Sequence, residues 1–179
     1  IDENLAAPVP GLSNVVAMAA GCVNCAAVRS DGTVWTWGHG WSGKLGDGFK
    51  GERDHPGMVP GVTNAISIAA GADHVLALCA DGKVLVWGYN RHGELGIGNT
   101  DNQLYPTALT ALSKVVALAG GDRHSIALLS DGTVKAWGSG SYGQLGYGGE
   151  ESSLTPIGVA GLSNIVAIAS GGFHNLAAD

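Results

Sequence analysis

The chain has 179 residues, 30 of them Gly, with a formal net charge of −6 and only 13% charged side chains. So acidic and charge-poor a chain lacks the clustered Lys and Arg of a phosphate-backbone binder, and no run approaches the ~18 apolar residues of a membrane span. Three Cys, an odd number, exclude a fully paired internal disulfide framework and say little about compartment.

The Gly are about twice the usual share, yet they are not filler, because many recur in phase. Asp31, Gly32, Val34, Trp37 and Gly38 return 50 residues later as Asp81, Gly82, Val84, Trp87 and Gly88. They return again as Asp131, Gly132, Val134, Trp137 and Gly138. A fixed period of this length means an array of one supersecondary unit. The units run 11–60, 61–110 and 111–160; residues 1–10 match the end of a preceding unit, with Pro10 in phase with Pro60. Residues 161–179 match the start of a following one, so both ends fall inside a unit.

In chain order, each unit predicts four short strands. The first is Val15–Ala20, with relatives Ala65–Ala70, Val115–Gly120 and Ile165–Ser170. It is small and apolar throughout, which predicts a strand buried on both faces near the axis of the array. The second covers Asn24–Arg29, His74–Cys79 and His124–Leu129, and leads into an Asp-Gly hairpin turn where Gly supplies a positive φ. The third is Val34–Trp37 and its repeats from Val84 and Val134, with alternating β-branched and aromatic residues. A Gly-rich connection ending in Leu-Gly-x-Gly follows (Leu45, Leu95, Leu145), and a strand led by Pro56, Pro106 or Pro156 closes the unit as an edge. Four antiparallel strands repeated radially make an all-β propeller of three full blades with partial blades at both ends.

Alternating strands put the first and third connections on one face and the Asp-Gly hairpins on the other. Among the three units the Asp-Gly face is nearly invariant and the opposite face varies. Variable loops on a rigid scaffold are where binding resides. The candidate partner-binding residues are Trp41, Arg91, His92 and Tyr142 on the third connections, with Asp73, Asp122, Arg123 and Phe173 nearer the axis. Aromatic and Arg side chains are the usual anchors of interfaces; the plain alternative is ordinary solvated loop residues.

Residues used once per unit read as architecture. His74, His124 and His174 hold a phase that Asn24 occupies in the first unit, so a hydrogen bond between blades fits them better than a metal ring. Trp37, Trp87 and Trp137 read as packing. Cys22 and Cys25 form an isolated Cys-x-x-Cys without the second ligand pair a zinc site needs, and Cys25 reads as a small buried filler. No Gly-x-Ser-x-Gly, phosphate-binding loop or His-Glu-x-x-His is present, so no catalytic residue, cofactor or metal is assigned.

The combination Ala-Gly-x-x-His-x-x-Ala-Leu, Asp-Gly-x-Val-x-x-Trp-Gly, Gly-x-Leu-Gly-x-Gly and Pro resembles the regulator of chromosome condensation repeat over essentially the whole chain. The resemblance implies a seven-bladed propeller, of which this chain makes about half, and the regular units look more like bacterial members than animal ones. It brings in nucleotide exchange on a small GTPase as an alternative function. In the founding member that activity depends on an inserted β-wedge, and these units carry no insertion. Nucleosome binding, also implied, sits poorly with the acidic charge. The expectation is a non-enzymatic protein-interaction scaffold. Its exposed flanks are completed by the rest of a longer propeller or by self-association, the former giving the more natural seven-strand closure.

Overall fold

The computed structural model describes residues 8–179 and holds fourteen strands, β1 to β14, with one short turn of 3-10 helix at Trp41–Gly43. Residues 1–7, which the repeat assigns to a preceding unit, lie outside the described residues.

Three four-stranded antiparallel sheets follow one another. They are β1 (Val15–Ala20) to β4 (Arg53–Met58), β5 (Ala65–Ala70) to β8 (Gln103–Ala108), and β9 (Val115–Gly120) to β12 (Ser153–Gly158). A two-stranded sheet, β13 (Ala167–Ser170) and β14 (Asn175–Ala178), completes the described chain. Within each sheet the strands pair in sequence order, so each is a simple meander, and inner strands β1, β5, β9 and β13 stand side by side. This is the architecture of β-propeller blades.

The second strands β2 (Asn24–Arg29), β6 (His74–Cys79) and β10 (His124–Leu129) carry the core. Along them, even-numbered side chains such as Ala26 and Leu76 face the following sheet, while odd-numbered ones such as Val75 and Ala127 face the preceding one. Each junction is therefore an interdigitated apolar layer, the first built on Ala26, Val28 and Val34 against Val75, Ala77 and Trp87.

Three expectations need correction. The inner strands are not buried on both faces: Met18 is 76% exposed, Val16 60%, Ile66 54% and Val116 52%. Val16, Ile66 and Val116 are skipped in pairing, since Val15 and Ala17 pair with consecutive residues Arg29 and Val28, and the other two sheets repeat this bulge. The extra residue turns out of the sheet, and small apolar composition here serves close passage of neighbouring strands rather than two-sided burial. The fourth strands do not begin at Pro. They begin three residues earlier, at Arg53, Gln103 and Ser153, with Pro56, Pro106 and Pro156 inside an edge strand that pairs on one side only. Cys25 is half-buried rather than buried, and Cys22, Cys25 and Cys79 are all free thiols.

The Asp-Gly turns are held from both neighbours. Asp31 Oδ1 accepts from the backbone N of Thr33 at 3.0 Å and Asp131 Oδ1 from that of Thr133 at 3.0 Å, which closes Asx turns. The Ser30, Ala80 and Ser130 amides donate to Asn14, Asn64 and Lys114 in the linkers, while Gly32 O accepts from Ala65 N of the next sheet. Backbone geometry locks this face, which accounts for its near-invariance among the units.

Candidate functional site: the loop face and the junctions beneath it

The first connections interlock around the axis. Cys22 N donates to Ala72 O, Ala72 N to Gly121 O and Asp122 N to Gly172 O, at 2.8 to 3.2 Å. Third connections lie outside them, so a loop of one sheet meets the first connection of the next. Trp41, Asp73, Asp122 and Arg123 come together with Tyr89 around a cavity of about 300 Å³. Trp41 is 67% exposed and lies edge-on to His39, with ring centroids 5.8 Å apart. Arg123 turns its Nε toward Asp122 Oδ2 at 3.6 Å, and Lys44 Nζ pairs with Asp73. With two acidic and two basic groups the cavity is close to neutral.

Other candidates sit elsewhere on the same face. Arg91 is exposed; His92 is tilted against Tyr89 at 6.2 Å. Burial, then the Arg123 charge, hold the His92 pKa below its ordinary value. Tyr142, 73% exposed, meets Phe173 edge-on at 5.2 Å over a separate groove beside β14. The eight residues thus form two clusters, one at Trp41 and one at Tyr142, with Arg91 and His92 between them in sequence.

Beneath the loops lies a polar layer. His74 Nε2 is 2.8 Å from Ser125 Oγ in the next sheet, and Ser125 Oγ donates its only proton to Glu94 O at 2.8 Å. His74 Nε2 must therefore carry the proton and donate to Ser125, leaving Nδ1 without a partner. His124 repeats the arrangement on Asn175 Oδ1 at 2.8 Å, and Asn175 Nδ2 donates to Gln144 O at 2.7 Å. Protonating His74 would place a charge in a dry site with no acceptor. Burial, aided by the His124 charge, lowers its pKa to about 4. These rings tie sheet to sheet as neutral imidazoles, and among the described residues no cluster of His, Cys, Asp or Glu has metal-binding geometry.

The first junction lacks this tie. Asn24, 3% exposed, is in phase with His74, and Val75 stands where Ser125 would accept, so both Asn24 side-chain atoms lack partners. Gly21, lacking a side chain, lies directly against Asn24 as Gly71 lies against the His74 ring. Installing Asn24→His with Val75→Ser should rebuild the bond, the new hydroxyl donating to Lys44 O. A double-mutant cycle in urea should give favourable coupling of at least about 1 kcal/mol; strict additivity would rule out the tie.

Sequence reasoning missed the buried residues of the third connections. Lys44, Glu94 and Gln144 are 2%, 1% and 6% exposed, although charged loop residues are usually solvated. Trp87 Nε1 donates to Lys44 O at 3.1 Å and Trp137 Nε1 to Glu94 O at 2.8 Å, so each sits where the next sheet's indole enters. A signal existed: Lys44 and Asp73 are 29 residues apart, and Glu94 and Arg123 repeat that spacing with charges exchanged. The structure pairs the first couple but not the second, because Arg123 faces Asp122. Glu94 Oε2 accepts from His92 N at 2.9 Å while Oε1 has no partner. Burial outweighs that bond and raises the Glu94 pKa to about 7.

The model of the regulator of chromosome condensation (RCC1) repeat matches residues 31–78, 81–128 and 131–178. No curated protein matches the chain. Among solved structures it is similar to Prp20p of Saccharomyces cerevisiae, with 26% identity and a TM-score of 0.83 over 93% of this chain and 44% of Prp20p. It is also similar to human WBSCR16, with 25% identity and a TM-score of 0.81 over 92% of this chain and 44% of that one. Yeast RCC1 (Prp20) bound to Kap60 gives 25% identity and 0.80, over 94% of this chain and 43% of that one. The chain thus spans under half the length of these proteins.

Proposed function

Because the chain belongs to the regulator of chromosome condensation repeat family, we propose that it is a non-enzymatic protein-binding module that engages its partner through the variable loop face. Each 50-residue unit, 11–60, 61–110 and 111–160, serves as one blade of the scaffold, and residues 161–179 begin another. The observation that carries this reading is the exposed Trp41 beside Asp73, Tyr89, Asp122 and Arg123, on loops anchored by a rigid bonded layer. A large aromatic held in the open at the rim of a cavity gives a partner an anchor at little entropic cost.

Affinity capture compares the two faces directly. The paired change Trp41→Ala and Arg123→Ala should lower retention of a captured partner at least about tenfold, since hot-spot truncations commonly exceed 1.4 kcal/mol. Asp81→Ala and Lys83→Ala, on the Asp-Gly face, should leave it unchanged. Equal retention by both variants would remove the loop face from binding.

A second reading, regulation of a small GTPase, is favoured by likeness to Prp20p, a protein described through its binding to Gsp1p and histones. The absence of any insertion between the repeats weighs against an exchange wedge. Accelerated nucleotide release from a GTPase of that class, at catalytic amounts of this chain, would displace the scaffold reading.

A further inference from the structure

The bulge at the start of each inner strand presents a residue that the blade architecture does not explain. Val16, Ile66 and Val116 are turned out of pairing, and Val166 holds the same phase ahead of β13. A side chain expelled into water has no need to be apolar, yet every unit places Val or Ile there. Ile66 and Val116 decide what this means. Inner strands β1, β5, β9 and β13 stand side by side, so both residues have a neighbouring sheet on either side. Each is still more than half exposed, which makes the exposure a property of the repeat and not of the first or last sheet.

The row opens on the Asp-Gly face. Val15 pairs with Arg29 at the hairpin end of the first sheet, and Val16 and Ile66 line a groove of about 450 Å³ with Ser30, Asp31 and Asn64. One branched apolar side chain per unit therefore stands at the foot of each Asp-Gly turn. Charge around the row is balanced. Lys83 Nζ pairs with Asp81 Oδ2 at 2.8 Å, while Arg29 stands near Asp31 and Lys114 near Asp131. The net charge of −6 comes from the rest of the chain, so two such faces can meet without repulsion.

A partner for this row needs apolar groups at the same spacing and on the same curve. A second copy of the chain meets both conditions. A two-fold axis perpendicular to the propeller axis reverses the order of the blades and keeps their arc, so row lies on row. The Asp-Gly face is nearly the same in every unit, and each blade finds an equivalent blade opposite. The loop face differs from unit to unit and offers no such match. We propose that the Asp-Gly face is a self-association surface on which two copies of this chain stack back to back through Ile66, Val116 and their equivalents. The contact is isologous, the same patch on both copies, and it closes at two. It does not rest on the loop-face reading, since both loop faces point outward and stay free.

Sedimentation velocity on the full 179-residue chain, from about 1 to 300 μM, tests the stack. A reversible dimer of twice the 18.0 kDa chain mass is expected. Its dissociation constant should lie at or below about 100 μM, as suits a contact smaller than a standard interface. Ile66→Thr with Val116→Thr keeps the branch at Cβ and removes only apolar surface, on both copies at once. This variant should weaken association about 100-fold. Ile66→Lys with Val116→Lys adds like charges at the contact and should be monomeric throughout. Trp41→Ala, on the opposite face, should dimerise as the wild type does. A wild type that stays monomeric at about 300 μM, a Thr variant that dimerises as tightly, loss of the dimer in Trp41→Ala, or assembly beyond the dimer would each overturn the proposal.

Discussion

Trp87→Ala should destabilise the protein by about 3–5 kcal/mol, a large part of the stability of a domain this size. The indole is 0% exposed at the junction of the first two sheets, where it packs among Ala26, Val28, Val34 and Val75. Its removal leaves a cavity that cannot collapse, since Gly46 beneath it has no side chain to move in. Trp137→Ala belongs to the same class, but the conservative replacements separate the two. Glu94 O keeps a bond from Ser125 when Trp137 becomes Phe, whereas Val75 offers Lys44 O nothing when Trp87 does. Trp87→Phe should therefore cost about 1 kcal/mol more than Trp137→Phe. Trp37, half-buried on the first sheet, should cost clearly less on truncation than either. Urea titrations of the five variants test the set; a Trp37→Ala loss equal to that of Trp87→Ala would refute the junction account.

The period of 50 residues carries the strand order, the turns and the Trp rows, because those features are local and repeat without change. All three second strands match their expected bounds, and the Asx turns follow from Asp-Gly alone. Burial is less legible. An apolar run such as Val15–Ala20 does not announce the bulge that expels Val16, since bulges depend on pairing with a partner strand. Nor does a charge in a Gly-rich loop announce that it is buried: Lys44 and Glu94 look solvated until the next sheet's indole arrives above them. The His rows were legible as ties, but the partner 51 residues on requires knowing that second strands of adjacent sheets face one another. Of the loop-face residues, the sequence places Trp41, Asp73, Asp122 and Arg123 on one face. It could not divide them from Tyr142 and Phe173, because that division depends on how far each loop leans toward the next sheet.

Glu94 and His74 should give the protein opposing pH dependences that one substitution separates. The Glu94 carboxyl titrates at about 7 when folded, against 4.5 ordinarily, so between those values the native state holds a proton that the unfolded chain has lost. Its contribution is full below pH 4.5 and is lost as pH rises through 7, at most about 3 kcal/mol by the usual 1.36 kcal/mol per pH unit. His74 runs the other way. Its folded value of about 4, against 6.5 ordinarily, gives stability that is full above pH 6.5 and lost as pH falls toward 4. In the wild type the two slopes offset one another between about pH 4.5 and 6.5. Glu94→Gln removes one of them without disturbing the fold, because Gln144 already occupies the same phase and accepts from Tyr142 N at 2.8 Å as Glu94 does from His92 N. The variant should match the wild type near pH 4.5 and exceed it by about 2–3 kcal/mol at pH 8, with stability rising steadily from pH 4 to 6.5. Denaturant titrations at four or five pH values distinguish the outcomes. Parallel curves for wild type and variant would mean that Glu94 ionises in the folded protein as freely as it does in water.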